Sequence, residues 1–222
     1  MAAQLRYRAV LFDLDGTLVD SYAALADAVN FARAEYGLES LTTATIREFV
    51  GEGLERLLCR AFDTDDVPAG ATEAFERRYD AVCCEQARVL DDVESTLDAL
   101  ERLGVSMAVC TNKPTAFSKK ILESVGLAHF FRDIVGPDTA GARKPAAQHV
   151  LRTLEATHCS ADQAVFVGDM PIDITAARNS GLAAAVVPTG SASTDALKAA
   201  HPDHYLDRLA DLVQIVRSGA RA

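Results

Sequence analysis

Ala9-Val10-Leu11-Phe12-Asp13-Leu14-Asp15-Gly16-Thr17 is the stretch on which the fold turns. Its four apolar residues read as a strand buried on both faces, the kind found in parallel sheets. The strand hands two carboxylates, one residue apart, to the loop at its C-terminal end. In an open α/β sheet that end is where ligands bind. Two acids so placed repel each other unless they share a cation or a proton. The competing reading is an acidic turn, because Asp and Gly favour turns and Thr17 can act as a solvated cap.

The chain has 222 residues, enough for one large α/β domain or a domain with a sizeable insertion. An apolar share of 49% is that of a globular protein. No apolar run approaches the roughly 20 residues that span a bilayer. The start, Met1 to Arg6, has no long apolar stretch with a cleavage site. The expectation is a cytoplasmic protein with no membrane partner. Thirty-two acidic residues against 22 basic ones give a formal charge of −10. That argues against nucleic acid, which needs a basic face. It also requires that any phosphate site be made locally positive by a metal, a lysine and helix N-termini. The five cysteines, Cys59, Cys83, Cys84, Cys110 and Cys159, contain no Cys-x-x-Cys pair and no zinc-like spacing. Reduced, mostly buried thiols are the expected state.

From Asp20 to about Ala87 the pattern is helical, with no convincing strand. Asp20 or Ser21 caps a helix running to about Tyr36, which Gly37 ends. Shorter helices follow over 43–50 and 53–62, and Pro68 opens another in which Phe75 and Tyr79 lie four apart. Helix and strand then alternate. Strands are expected at 105–110, 133–135, 163–167 and 182–187. Helices are expected at 93–103, from Pro114 to Gly126, at 146–156, at 171–180 and at 207–216. Such alternation means βαβ units and a parallel sheet. The expected architecture is α/β: a doubly wound, Rossmann-like core with an inserted all-helical cap. Residues 1–18 and 90–222 would form the core, and residues 19–89 the cap.

Four expected strand ends carry polar residues suited to phosphate chemistry. They are Asp13, Asp15 and Thr17; Thr111-Asn112-Lys113; Arg143-Lys144-Pro145; and Gly168-Asp169 with Asp173 shortly after. Ends of one parallel sheet lie along one edge, so these groups would converge. Asp13 is placed to attack phosphorus and form an aspartyl-phosphate. Asp15 is suited to protonate a leaving alkoxide and then activate water. Thr111 would give its hydroxyl, and Asn112 a backbone amide, to phosphate oxygens; a plain strand-end cap is the alternative for Thr111. Lys144 is a compact cation for a phosphate oxygen, or a solvated loop residue. Asp173 would reach a metal shell or only cap its helix. Lys113 would line the entrance or sit at a solvated helix start. His201 and His204 read as loop residues rather than a metal site.

In order and spacing these segments resemble the four motifs of the haloacid dehalogenase superfamily. Val10 to Ser21, Val50-Gly51-Glu52-Gly53 and Cys110-Thr111-Asn112-Lys113-Pro114 are similar to the phosphoglycolate phosphatases within it. The resemblance implies Mg²⁺ ligated by Asp13, the carbonyl of Asp15 and Asp169, with Asp173 also near the ion. It implies phosphate binding by Thr17, Thr111, Asn112 and Lys144. It also implies that the Gly51-Glu52-Gly53 loop closes over the site and meets the leaving group. Superfamily dehalogenases lack an acid at the position of Asp15, so phosphoryl chemistry is implied. Residues 19–88 hold no lysine and no histidine. That sets the chain apart from the related phosphonoacetaldehyde hydrolases and β-phosphoglucomutases, which use such groups. The implied activity is hydrolysis of a small phosphorylated metabolite, 2-phosphoglycolate foremost, by a monomer or homodimer. A sugar phosphate, a nucleotide, pyrophosphate, or a non-catalytic phosphate-binding role are the alternatives. Arg47 and Arg56, which flank the loop, are candidates to pair with a substrate carboxylate.

Overall fold

The computed structural model describes residues 5–217, so residues 1–4 of the N-terminal stretch considered above lie outside the described residues. In chain order the first half runs β1 (Ala9–Phe12), β2 (Val19–Asp20), α1 (Tyr22–Glu35), α2 (Thr43–Phe49), α3 (Leu54–Phe62), α4 (Ala71–Gln86), β3 (Arg88–Val89) and α5 (Val93–Arg102). The second half runs β4 (Ser106–Cys110), α6 (Thr115–Ser124), β5 (Ile134–Val135), α7 (Pro137–Ala140), α8 (Ala147–Glu155), β6 (Ala164–Gly168), α9 (Pro171–Asn179), β7 (Ala183–Val186), α10 (Thr194–Ala199), β8 (His204–Tyr205) and α11 (Leu212–Arg217).

Six strands form one sheet in the order β5-β4-β1-β6-β7-β8. Every neighbouring pair in it is parallel. β1 lies in the interior, with Phe12 opposite Val109 on one side and Val167 on the other. The period-2 alternation of a strand divides its side chains between two apolar layers. Val10 and Phe12 join Val109, Val165, Leu97 and Ile121 on one face. Ala9 and Leu11 join Ala108, Phe166, Val150 and Ile174 on the other. Both faces are thus covered by helices, as a doubly wound parallel sheet requires. The second layer is rich in alanine at Ala9, Ala108, Ala164, Ala176 and Ala177, which lets α8 and α9 approach closely.

Helices α1 to α4 pack on one another beyond the C-terminal edge of the sheet. Their apolar residues, among them Leu25, Val29, Ile46, Leu58 and Phe75, are continuous with the first layer. The chain crosses between sheet and insertion twice. At those crossings β2 and β3 pair antiparallel, Val19 with Val89 and Asp20 with Arg88. The ribbon falls at the two ends of the helical stretch expected from Asp20 to about Ala87, so the insertion is not helical throughout 19–89. Two residues a side carry no local periodicity, and only the pairing defines them.

The C-terminal end differs too. In place of one helix over 207–216, a 3₁₀ turn spans Leu209–Asp211 and α11 follows. The Arg208 guanidinium ties this turn to Asp92, with Nε and Nη2 donating at 2.8 and 2.6 Å. His204 lies in the edge strand β8 rather than in a loop. Its Nε2 meets the Tyr7 hydroxyl at 3.0 Å, across the bottom of the sheet. The short helices α7 and α10 were not expected from the pattern.

Candidate active site

Four of the parallel strand ends, those of β1, β4, β5 and β6, place their loops side by side, so residues far apart in sequence meet. The Asp13 amide donates to the Val167 carbonyl at 2.9 Å, so the β1–β6 ladder continues one residue past the strand. The Asp13 side chain is buried. Lys144 Nζ lies 2.9 Å from its Oδ1 and 2.8 Å from Asp173 Oδ1. Asp13 Oδ1 nonetheless has no aligned hydrogen-bond donor. Burial raises Asp13 to about 6 in spite of Lys144, and the Asp173 charge adds to the rise. Burial also raises Asp169 well above the usual carboxylate range, helped by Asp173 and Asp13. For Lys144, burial opposes the charged form, but Asp13 and Asp173 outweigh it and hold the ammonium above the ordinary lysine range.

One oxygen each from Asp13, Asp169 and Asp173 falls within 4.8 Å of the other two. Three buried carboxylates this close, with one lysine among them, form a set of hard oxygen donors in need of positive charge. That set fits a divalent cation such as magnesium. The three are not equivalent. Asp173 Oδ2 accepts from the amides of Asp169 and Met170 at 3.2 and 3.0 Å, while its Oδ1 takes Lys144. Both Asp173 oxygens are therefore committed to protein donors. Asp169 accepts from the Thr17 hydroxyl at 3.1 Å and from the Ser191 amide at 3.3 Å. Thr17 is thus bonded to a carboxylate neighbour rather than left free.

Asp15 is handled differently from Asp13. The Lys113 ammonium donates to its Oδ1 at 2.7 Å and its Oδ2 at 2.5 Å, and the Ser21 hydroxyl also donates to Oδ1. The Lys113 side chain is only 5% exposed, so a solvated helix start is ruled out. Burial works against its charge, but Asp15 and Tyr79 together hold the ammonium above the usual lysine range. Directly after Asp15 the chain turns at Gly16, whose φ is +83°. A Cβ there would lie 2.6 Å from the Tyr22 hydroxyl and 2.8 Å from Asp169 Oδ2, so only glycine fits.

The β4 end supplies Thr111, Asn112 and Lys113, all buried. Thr111 Oγ1 accepts from the Lys113 amide at 3.2 Å. The Asn112 side chain is a tie the sequence did not suggest. Its amide donates to the Gly51 carbonyl at 3.0 Å and to the Lys144 carbonyl at 3.2 Å, and its Oδ1 accepts the Lys144 amide at 2.8 Å. One side chain thereby links the helical insertion to the lysine loop.

Above these groups lies a cavity of about 60 Å³. Asp13, Asp15, Thr111, Asn112 and Lys113 form one wall, and Leu25, Leu54, Leu57, Phe75 and Tyr79 belong to the other. Gly51 and Gly53 line it, but Glu52 does not. Glu52 instead pairs with Arg60 on the outer side of the loop. Gly51 has φ +123°, and a Cβ there would collide with the Met170 sulfur. Neither flanking arginine lines the cavity. Arg47 Nη2 donates to the carbonyls of Thr189 and Gly190 at 2.8 and 2.7 Å, with its guanidinium over the Tyr22 ring at 4.4 Å. Arg56 faces an outer groove with Cys59, Arg60 and Asp63. Both arginines had been candidates for a substrate carboxylate; backbone carbonyls and outward placement take them away from it.

Comparison with known proteins agrees with this geometry. The family model described as haloacid dehalogenase-like hydrolase matches residues 10–187. A phosphoglycolate phosphatase of Vibrio cholerae is 33% identical, over 93% of this chain and 96% of its own. A 5′-nucleotidase of Pseudomonas aeruginosa is 30% identical, over 97% and 98%. A crystal structure of a predicted phosphoglycolate phosphatase from Haemophilus somnus superposes with a TM-score of 0.85, at 28% identity, covering 95% of this chain and 98% of that one.

Proposed function

Because the chain belongs to the haloacid dehalogenase-like hydrolase family, we propose that it hydrolyses a small phosphomonoester, 2-phosphoglycolate foremost, through an aspartyl-phosphate on Asp13. The observation that carries this reading is the unequal treatment of two neighbouring acids. Asp13 keeps an oxygen with no aligned donor beside the Lys144 ammonium. Asp15 is held at the cavity by Lys113 and Ser21.

An Asp13 oxygen attacks phosphorus, forming a new O–P bond while the ester O–P bond breaks. Asp15 gives a proton to the departing alkoxide, then takes one from the water that cleaves the aspartyl-phosphate. Lys144 holds the Asp13 carboxylate in line and offers positive charge to the transferring group. Thr111 and the Asn112 backbone receive phosphate oxygens, and Thr17 acts by fixing Asp169. Asp13, the Asp15 carbonyl and Asp169 are the residues that would hold magnesium, with Asp173 orienting the loop behind them; bound there, the ion neutralises charge on the phosphoryl oxygens.

Residues 19–89 serve as a cap over a core made of 1–18 and 90–222. The β2–β3 ribbon is the natural hinge, and closure excludes water from the phosphoryl intermediate. Among the described residues no helix is long and apolar enough to cross a membrane. The reading is completed by a cytoplasmic setting and a monomer or homodimer.

A second reading, a nucleotide phosphatase, is favoured by the Pseudomonas relative named 5′-nucleotidase. The cavity of about 60 Å³ favours the shorter substrate. Pockets for drug-sized ligands begin near roughly 300 Å³. Phosphate release with added magnesium, measured on 2-phosphoglycolate, a nucleoside monophosphate, a sugar phosphate and pyrophosphate, tests both. The highest kcat/KM should fall on 2-phosphoglycolate. No phosphate release from any of them, nor from an aryl phosphate, would overturn the catalytic reading.

A further inference from the structure

Tyr79 sits on α4 and is 1% exposed, yet its hydroxyl has no hydrogen-bond partner. A buried donor left unpaired is costly, and such groups are kept where something else accepts the bond. The ring is clamped: it stacks on Phe75 at 5.3 Å and meets the edge of Phe117 at 5.1 Å. The direction of the hydroxyl is therefore fixed by packing. The Lys113 ammonium lies 5.1 Å from the centre of the same ring. Its charge and its hydrogen-bonding reach both act on the hydroxyl against the rise that burial imposes, yet no bond of good geometry joins the two. A lysine ammonium has three N–H donors, and the two Asp15 oxygens account for two of them. One donor remains. Both residues line the cavity, and Lys113 is the only cation among the described residues that do.

An ammonium on one wall of the cavity and an orphaned hydroxyl facing it from the other offer two donors to one small anion. We propose that Tyr79 Oη and the third N–H of Lys113 receive a carboxylate carried by the leaving group, so that the site selects short 2-phosphooxycarboxylates over neutral phosphomonoesters. This rests on the phosphatase reading above and supplies what that reading lacks, a cationic partner for the acid end of its substrate. Leu25, Leu54 and Leu57 close the remaining wall. They leave the carbon chain no polar partner and favour a short one.

The test compares wild type with Tyr79→Phe on 2-phosphoglycolate and on ethyl phosphate, which matches it in length and lacks the carboxylate. The ratio of the two kcat/KM values should fall by roughly 10- to 100-fold in the variant, mainly through KM for 2-phosphoglycolate. Its thermal midpoint should stay or rise, because the lost hydroxyl had no protein partner. A ratio that falls less than tenfold overturns the inference. A second measurement needs no variant: glycolate should inhibit wild type competitively where ethanol does not. Equal inhibition by the two also overturns it. Wild-type protein that hydrolyses neither ester, nor an aryl phosphate, removes the phosphatase reading itself and this inference with it. Activity on both esters with no preference removes this inference alone.

Discussion

The two walls of the cavity are built by opposite means. On the sheet edge, charges are buried and paired: Lys144, 1% exposed, stands between Asp13 and Asp173. Across from it the insertion presents leucine and aromatic carbon, and its ion pairs sit on the outside. Arg78–Asp27, Arg77–Glu35 and Arg60–Glu52 are all part-exposed. A buried charge needs its partners held in place, because losing one leaves the other stranded in a poor solvent. Parallel strands hold them; Asp13, Thr111 and Asp169 each follow directly on a strand. An apolar wall carries no such demand. The ion pairs that join it to the core, Lys120–Asp80 and Arg143–Glu55, are themselves exposed, so it can move away and return without stranding a charge out of water, which suits a lid. Reactivity should therefore depend on single atoms of the core, and the insertion should tune access and choice.

The hardest test of that division is Asp13→Asn. Turnover should fall by roughly 10⁴-fold or more on every substrate, with thermal stability kept. A variant that still turns over at a tenth of the wild-type rate would break the assignment of the nucleophile. Next comes Asp15→Asn, expected to cost about 10²–10⁴-fold on alkyl phosphates. The loss should be much smaller on p-nitrophenyl phosphate, whose leaving group needs little help from an acid. Equal losses on both would say that Asp15 acts through structure instead. Stability separates the walls as sharply. Lys144→Met strands two carboxylates and should cost about 3–5 kcal/mol in urea unfolding without magnesium. Arg78→Met, which breaks an exposed pair on the insertion, should leave the midpoint where it was.

The layout of the sheet and the convergence of Asp13, Asp15, Lys144 and Asp169 were legible in the sequence for a physical reason. Buried parallel strands are continuous apolar runs, and their ends are compelled to share an edge. What escaped is what local pattern does not encode. The β2–β3 ribbon and β8 are two residues long and exist only through pairing with distant strands. Tyr79, four residues from Phe75, has the spacing of a packing residue; only the packed structure reveals its hydroxyl to be unpaired. For Lys113 the sequence left open a cavity entrance or a solvated helix start, and only its pairing with Asp15, 98 positions away, decides for the cavity. Arg47 and Arg56 drew attention as charges beside a loop, and sequence does not say which way a side chain on a short helix points.

His149 sharpens the contrast through pH. It is buried beneath the lysine loop, donates Nε2–H to the Val135 carbonyl at 3.1 Å, and leaves Nδ1 unpaired. Burial lowers it to about 4. The folded state thus binds fewer protons than the unfolded one between pH 6.5 and 4. Its share of stability is whole above pH 6.5 and is lost as pH falls, by up to about 3 kcal/mol. His149→Gln, which keeps a donor for Val135, should show a shallower loss than wild type over that window. The insertion from residue 19 to 88 has no histidine and offers no counterpart. Identical pH profiles would exclude His149 as the source.

The smallest expected effect is the most discriminating about the insertion. Arg47, on α2, reaches across to the carbonyls of Thr189 and Gly190. That loop is bound to the site at both ends: the Thr189 hydroxyl donates to the Gly16 carbonyl at 2.6 Å, and the Ser191 amide donates to Asp169. Arg47 is thus a strap between the insertion and the segment behind Asp169, and it touches nothing in the cavity. Arg47→Ala should weaken the closed arrangement by about 1–1.5 kcal/mol, the scale of a hydrogen bond with one charged partner near water. That corresponds to a five- to tenfold fall in kcat/KM. Because the strap does not meet substrate, the fall should be the same for 2-phosphoglycolate and ethyl phosphate. A loss confined to 2-phosphoglycolate would put Arg47 at the carboxylate after all. The insertion would then supply charge as well as shape, and the division between the two walls would fail at that point.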